Sequence, residues 1–111
     1  MFIFDMNTVY KHEKILADNV FVKENDDVFC VWQNRYDKRK RSTEIMLDFF
    51  VTRENGYERF SENFYEKAYS EEEIKNVLLD CGFSVEAVYS DMKTTPAKPD
   101  DERIIFVAKR I

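Results

Sequence analysis

Asn55-Gly56 is the feature of this sequence that most constrains its fold. It lies between two long runs rich in β-branched and aromatic residues, EIMLDFFVTRE (44–54) and YERFSENFYEKAY (57–69). Asn-Gly between such runs is the strongest short-range signal for a β-hairpin. Two earlier runs, NVFVKE and VFCVWQN, are separated by the turn residues Asn25-Asp26-Asp27. Residues 19–69 therefore predict an antiparallel β-meander in which RYDKRKRST forms a polar loop.

The hairpin also predicts a register. A two-residue Asn-Gly loop pairs Glu54 with Tyr57, and continuing outward it pairs Phe49 with Glu62. The same register pairs Val51 with Phe60 and Leu47 with Phe64. Paired side chains share a face, so Glu62 is predicted to lie among phenylalanines on the apolar side of the hairpin. A carboxylate in that position is costly unless it is paired or functional.

A helix at about 71–81 is predicted by SEEEIKNVLLDCGF. Ser70 and Glu73 have the spacing of a capping box, and acidic residues in the first turn suit the helix dipole. The apolar positions of this helix form one predicted stripe: Ile74, Val77, Leu78 and Cys81. Gly82 follows as a natural C′ residue.

The termini predict a second, smaller sheet. FIFDM (2–6) and RIIFVAKRI (103–111) are apolar strand candidates, and VEAVYS (85–90) is a third. Thr8 is placed to cap a short helical stretch, VYKHEKIL. We therefore expect one α+β domain over 1–111, with sub-parts 1–18 (strand and short helix), 19–69 (meander) and 70–111 (helix plus two strands).

Composition excludes several classes of function. The net charge of −5, with 35% charged residues, opposes general affinity for nucleic acid or anionic membranes. No apolar run approaches the roughly 18 residues of a membrane span, and MFIFDMNT lacks the features of a signal peptide. Cys30 and Cys81 are expected to be reduced core thiols of a cytoplasmic protein.

Glycine and histidine are scarce. The only glycines, Gly56 and Gly82, form no glycine-rich loop, so no place for a dinucleotide or phosphate is expected. The one histidine, His12, is interpreted as a surface residue without a second ligand at metal spacing, and no metal is expected. The basic run 38–41 could contact a phosphate-bearing ligand, but a solvated loop is the better interpretation.

The order of these segments resembles the C-terminal half of class I S-adenosylmethionine-dependent methyltransferases. The resemblance rests on DMNT, VWQNRYD, FFV, ERFSENFYEKAYS, CGF, VYSD and DERIIFVAKR, and it covers the chain from about Phe2 to Arg110. It is closest to small bacterial members that carry an antiparallel insertion before the last helix. The resemblance implies that FIFDM is the fifth strand of the family's sheet, VEAVYS the sixth, and RIIFVAKR the seventh, wedged between them.

The resemblance also implies S-adenosylmethionine as the cofactor. The family's acidic and glycine-rich cofactor motif lies in its N-terminal half, and nothing in this chain matches it. We therefore expect a fragment that neither binds the cofactor well nor transfers a methyl group alone. Relatives commonly carry histidine at the position of Phe64, whereas Glu62, Glu66 and Tyr69 fit their pattern.

Candidate site residues follow from this placement. Trp32 and Asn34 project from one strand face and could form an aromatic wall with an amide beside it, or belong to the core and a turn. Glu62 could orient or deprotonate the methyl acceptor if desolvation raises its pKa, or pair with Arg59, Lys67 or a backbone amide. The remaining substrate-binding candidates lie at strand ends or beside the meander: Asp5, Asn7, Thr8, Tyr36 and Tyr69.

A second hypothesis is a stand-alone module for self-association or protein binding. Strand 2–6 is apolar on both faces, and a bare apolar edge recruits other strands. We expect a homodimer, or pairing with a separately encoded N-terminal half through this strand.

Overall fold

The computed structural model describes residues 1–111 and contains seven strands, one α-helix and one short π-helix. In chain order they are β1 (Phe2–Asn7), the π-helix (Lys11–Leu16), β2 (Val20–Glu24), β3 (Val28–Asp37), β4 (Ser42–Arg53), β5 (Gly56–Lys67), α1 (Glu71–Asp80), β6 (Phe83–Ser90) and β7 (Arg103–Arg110). The predicted α+β class is confirmed. Neither helix is long and apolar enough to cross a membrane.

The chain forms two compact units. Residues 1–15 and 68–111 form the first unit, and residues 16–67 form the second. The first contains a three-stranded antiparallel sheet in the order β1-β7-β6. The predicted position of the last strand, between FIFDM and VEAVYS, is therefore confirmed.

The core of the first unit lies between α1 and one face of its sheet. Alternate residues of β7 are buried there, namely Ile104, Phe106 and Ala108, and Leu78 of α1 packs on them. Phe4 stacks on Phe106 with ring centroids 5.1 Å apart. Alternation is expected for a strand in which one face meets a helix, because successive side chains point to opposite faces.

Helix α1 begins as predicted. The Ser70 hydroxyl accepts from the Glu73 N–H at 3.1 Å, and the Ser70 N–H donates to the Glu73 carboxylate at 3.2 Å, so the capping box is complete. Gly82 follows the helix with φ +88°, a conformation that suits glycine at C′.

The predicted apolar stripe of α1 is only partly correct. Ile74 and Leu78 reach the core, but Val77 is 54% exposed and Cys81, at the helix end, is exposed as well. Ile74 and Leu78 are four residues apart and lie one above the other on a helix face. The narrow sheet accommodates that single row, so the flanking positions remain in solvent.

The second unit is the meander, a four-stranded antiparallel sheet in the order β2-β3-β4-β5. β3 continues to Asp37, so the predicted loop after Asn34 is wrong, and the turn consists of residues 38–41. The Asp37 carboxylate accepts from the main-chain N–H groups of Arg39 and Lys40 at 2.9 and 3.2 Å. This turn holds the basic run at the surface, as predicted.

The hairpin register differs from the prediction by two residues. Gly56 pairs with Arg53, Phe60 with Phe49, and Glu62 with Leu47. The predicted loop needs a positive φ at Asn55, whereas Asn55 is absent from the residues with positive φ. Glu54 and Asn55 form the turn instead, and Gly56 begins β5 with φ +132°.

His12 corrects a second expectation, since it is completely buried rather than a surface residue. It lies in the π-helix, which departs from the 3.6-residue period on which a sequence-based assignment of faces depends. Thr8 does cap this segment, because its hydroxyl accepts from the Lys11 N–H at 3.0 Å.

Candidate functional site

One face of the meander combines aromatic side chains with a few polar groups. The register places on it Cys30, Trp32, Asn34 and Tyr36 of β3, Thr43, Ile45, Leu47, Phe49 and Val51 of β4, and Phe60, Glu62, Phe64 and Glu66 of β5. We call this surface the Trp32 face. Its outer part is open to solvent, since Phe60 and Phe64 are 45% and 43% exposed.

Trp32 is held rigidly in this face. Its indole N–H donates to Oδ1 of Asn34 at 2.8 Å, and the Asn34 amide donates to the Asn19 carbonyl at 3.1 Å. Phe21 packs on the indole at 5.2 Å between ring centroids, and the Lys23 ammonium lies 5.3 Å from the ring centre. Asn34 is only 5% exposed, so its side-chain amide bonds to Trp32 and Asn19 rather than to solvent.

Glu62 lies in the same transverse row as Trp32. Leu47 pairs with Trp32 on one side and with Glu62 on the other. Two strand spacings of about 4.8 Å separate the backbones of Trp32 and Glu62 by roughly 10 Å.

The predicted burial of Glu62 among phenylalanines is wrong, because its side chain is exposed on the edge strand β5. Its neighbour across the strand is Leu47 and not Phe49. It also makes no ion pair with Arg59 or Lys67, since its carboxylate has no partner within the chain.

On the opposite face of the meander, the polar groups around Asp48 are paired with one another. Asp48 accepts hydrogen bonds from the Ser61 hydroxyl and from the Arg59 guanidinium, the latter at 2.8 Å. These contacts, Ser61 foremost, lower the pKa of the Asp48 carboxyl. The Arg59 side chain also lies 5.8 Å from the Phe50 ring. Around Asp48 the opposite face therefore carries satisfied polar contacts, whereas the Trp32 face carries exposed phenylalanines.

The first unit brings Thr8 and Tyr69 to one concavity. It has a volume of about 280 Å³ and is lined also by Tyr10, Lys98 and Ile104, among other residues. The Thr8 hydroxyl donates to the Asp101 carbonyl at 2.6 Å and accepts from Lys11, so its hydrogen-bonding capacity is largely used within the fold.

Asp5 and Asn7 lie outside that concavity. Asp5 makes an exposed ion pair with Arg103 at 3.2 Å. Asn7 lines a separate polar depression of about 360 Å³ together with Lys11 and Ser90.

Sequence reasoning missed Asp101, which organises the loop before β7. Its Oδ2 accepts from the Lys98 N–H at 2.6 Å and from the Ser90 hydroxyl at 2.7 Å. The Lys98 bond, followed by the Ser90 bond, lowers the pKa of Asp101. The loop before β7 gave no periodic signal, and the bond of Asp101 runs back to the N–H of Lys98, three residues earlier, so the forward Asx-turn pattern did not mark it.

Two curated bacterial proteins match nearly the whole chain. The YqeM protein of Bacillus subtilis strain 168, provisionally classed as a methyltransferase, is 27% identical over 108 residues, which are 97% of this chain and 44% of YqeM. The GWCH70_2453 protein of Geobacillus sp. strain WCH70, classed in the same way, is 29% identical over 111 residues, which are 99% of this chain and 45% of that protein. The chain thus spans less than half the length of these relatives. No protein-family model matches it.

Solved structures give the same assignment. An S-adenosylmethionine-dependent methyltransferase from Clostridium acetobutylicum ATCC 824 matches with a TM-score of 0.86 and 30% identity, over 97% of this chain and 43% of that one. The CcbJ methyltransferase of Streptomyces caelestis matches with a TM-score of 0.76 over 98% of this chain and 45% of its own, but at 7% identity, which shows the fold alone. In sequence and in fold, the chain therefore corresponds to the C-terminal part of an S-adenosylmethionine-dependent methyltransferase.

Proposed function

We propose that this chain is the acceptor-capping part of an S-adenosylmethionine-dependent methyltransferase and that residues outside it bind the cofactor. The observation that carries the proposal is the Trp32 face, a rigid aromatic surface on a segment that relatives of the methyltransferase class share. Apolar walls with a few fixed polar groups are typical of small-molecule sites.

The residues present do not fit the cofactor by themselves. Gly56 begins a strand at a hairpin and Gly82 ends a helix, so neither lies in a strand-to-helix loop where backbone could approach a ligand. When bound by the whole enzyme, the cofactor would supply the electrophilic methyl group.

The acceptor would lie against the indole of Trp32. Because the Asn34 carbonyl oxygen already accepts from the indole, the ring cannot turn away without breaking that bond. A fixed aromatic wall lowers the activation barrier of methyl transfer because it positions the acceptor. Positioning is the main requirement when the electrophile is already reactive. Tyr36 extends the same face beyond Asn34 and is a weaker candidate for acceptor contact.

Glu62 is the candidate base or orienting group. Its carboxylate has no partner within the chain and is accessible, so it is free to accept a hydrogen bond from an acceptor nucleophile. Phe64, two residues further along the same face, replaces the histidine expected from relatives and is flanked on this face by two carboxylates, Glu62 and Glu66. Glu66 has a contact within the chain, which leaves Glu62 as the available carboxylate. Within the first unit, Thr8 and Tyr69, which share a concavity, and Asn7 and Asp5 are proposed as separate substrate-binding candidates.

Pairing through β1 is part of this proposal. β1 bonds to β7 along one edge only, and Phe2 and Ile3 are 46% and 59% exposed. Such an edge can accept a strand from a separately encoded N-terminal half or from a second copy. A cytoplasmic location also belongs to the proposal, since both cysteines are free thiols.

Calorimetric titration of the purified chain with S-adenosylhomocysteine tests the cofactor part. We expect no measurable heat of binding, and micromolar affinity would overturn the division of labour proposed here. The second candidate is a stand-alone self-association module that acts through the bare β1 edge. It would be favoured if the chain is a folded dimer and if joining it to an N-terminal half gives no cofactor binding.

A chimera tests the capping part. Residues 1–111 would replace the matching segment of YqeM. Methyl transfer from labelled S-adenosylmethionine would then be measured with a small-molecule extract of Bacillus subtilis as the source of acceptors. We expect Trp32→Ala to reduce transfer at least tenfold and to leave S-adenosylhomocysteine affinity unchanged. Equal loss of both would show that the Trp32 face does not serve the acceptor.

A further inference from the structure

A second concave site lies on the meander, on the face opposite the Trp32 face. It has a volume of about 300 Å³, at the lower end of the range for small-ligand pockets. Its lining comes from the β2–β3 turn and the adjoining strand ends: Glu24, Asn25, Asp26, Val28, Phe29, Phe50, Thr52 and Tyr57. We call it the Tyr57 pocket.

Three aromatic rings line the Tyr57 pocket. Phe29 and Phe50 are cross-strand partners with centroids 6.2 Å apart and planes inclined by 56°, so they present an angled pair of ring faces. Tyr57 pairs with Thr52 at the open side and is 71% exposed. Ring faces carry partial negative charge and attract cations. The guanidinium of Arg59, the cross-strand partner of Phe50, lies 5.8 Å from the Phe50 ring, so one cation already lies beside this ring.

The charged groups that line the pocket are all acidic. Glu24 and Asp26 contribute carboxylates, and neither carboxylate has an ion pair or hydrogen bond within the chain. No lysine or arginine lines the pocket. The nearby guanidinium of Arg59 is paired with the Asp48 carboxylate at 2.8 Å.

The turn that carries these carboxylates is held in place. The Asn25 side-chain carbonyl accepts from the N–H groups of Asp27 and Val28 at 3.0 and 2.9 Å. The Asp27 carbonyl accepts from the Thr52 N–H at 2.8 Å, which ties the turn to β4. The rim of the pocket is therefore formed before any ligand arrives, and ordering it costs little on binding.

We propose that the Tyr57 pocket binds an organic ammonium group, such as a methylated amine or a quaternary ammonium. Aromatic faces and unpartnered carboxylates together favour a cation with an apolar surface over a neutral or anionic ligand. The site is distinct from the Trp32 face, so it does not depend on the proposed methyltransferase function.

Choline is the probe, and its neutral isostere 3,3-dimethylbutan-1-ol is the matched comparison. Binding would be followed by chemical shifts of the Phe29, Phe50 and Tyr57 rings during titration of the 111-residue chain. We expect saturable shifts with choline and none that saturate with the isostere. Tyr57→Ala should weaken choline binding about threefold, and the pair Glu24→Gln with Asp26→Asn should weaken it by a similar factor.

Matched variants separate recognition from general effects. Tyr65→Ala removes a tyrosine of the same strand and face that is 70% exposed but does not line the pocket. Glu72→Gln removes one negative charge from α1 and leaves the pocket unchanged. Both controls should bind choline as the unmodified chain does. Absence of saturable binding, equal binding of the isostere, or equal weakening by Tyr65→Ala would each overturn the proposal.

Discussion

The indole N–H of Trp32 donates a 2.8 Å hydrogen bond to the side-chain carbonyl of Asn34, two residues further along the same strand. Trp32 is the only tryptophan of the chain, and this contact gives the buried side-chain amide of Asn34 a hydrogen-bonding role beside it. Residues two apart on a strand face the same side, and here the polar edge of the ring is satisfied within its own strand.

Asn34→Ala should therefore destabilise the chain. The change leaves the Trp32 N–H and the Asn19 carbonyl without side-chain partners, at a cost of about 1–3 kcal/mol. Urea unfolding would measure the loss, and Trp32 fluorescence should shift to longer wavelength. Asn63→Ala is the control, because the Asn63 bond to Glu44 is exposed and should cost less than about 0.5 kcal/mol. Equal losses would contradict the special role of Asn34.

Glu62→Leu should stabilise the chain slightly. Glu62 is exposed and pairs across the strand with Leu47, so an apolar replacement gains a cross-strand contact of about 0.2–1 kcal/mol. A residue whose removal stabilises a fold is a candidate for function. Glu58→Leu provides the comparison, since it breaks the 2.9 Å ion pair with Arg53. Destabilisation by Glu62→Leu would point to a structural role for this carboxylate.

Asp101→Asn should weaken the chain in a pH-dependent manner. The folded pKa of Asp101 lies below its ordinary value of 3.8, mainly because the Lys98 N–H donates to it. Such a carboxylate stabilises the fold above its unfolded pKa, and this contribution is lost as the pH falls through the folded pKa. Urea midpoints should thus differ most near neutral pH and converge as the pH falls below 3.8.

The control for this titration is Asp100→Asn, because the Asp100 side chain has no partner in the chain. Near neutral pH it should change the urea midpoint much less than Asp101→Asn does. A difference between Asp101→Asn and the unmodified chain that stays constant down to low pH would refute the assigned linkage.

Ser70→Ala should destabilise α1. The change removes the hydroxyl that accepts from the Glu73 N–H, and loss of such a cap costs about 1 kcal/mol. Thermal unfolding monitored by circular dichroism would measure it. Ser84→Ala, at an exposed hydrogen bond to Glu86, should change the melting temperature much less. A larger effect at Ser84 would show that the capping box contributes little.

Ile3→Lys should reduce self-association. Ile3 is 59% exposed on β1, whose second edge has no strand beside it, and a charge there discourages strand pairing. Sedimentation equilibrium of the unmodified chain should give a mass above that of the monomer, and the variant should return it to the monomer. Val77→Lys, at an exposed helix position away from this edge, should leave the association unchanged.

Local signals in the sequence were sufficient where neighbours along the chain decide the structure. The capping box of Ser70 and Glu73 and the helix end at Gly82 involve residues only a few positions apart. Their hydrogen bonds join residues close in sequence, so the spacing of residue types is enough to predict them. The position of the last strand was also predicted, but from the family resemblance and not from local pattern.

Tertiary structure decided the features that depend on distant partners. The hairpin was foreseen, but its register was not, because the conformation of Asn55 selects Glu54-Asn55 as the turn and moves Glu62 opposite Leu47. The burial of His12 and the exposure of Cys81 also required the packed structure. Sequence by itself determined which segments become strands and helix, since propensity and capping act locally. Which face of each segment is buried was decided only by packing, because burial depends on what lies opposite.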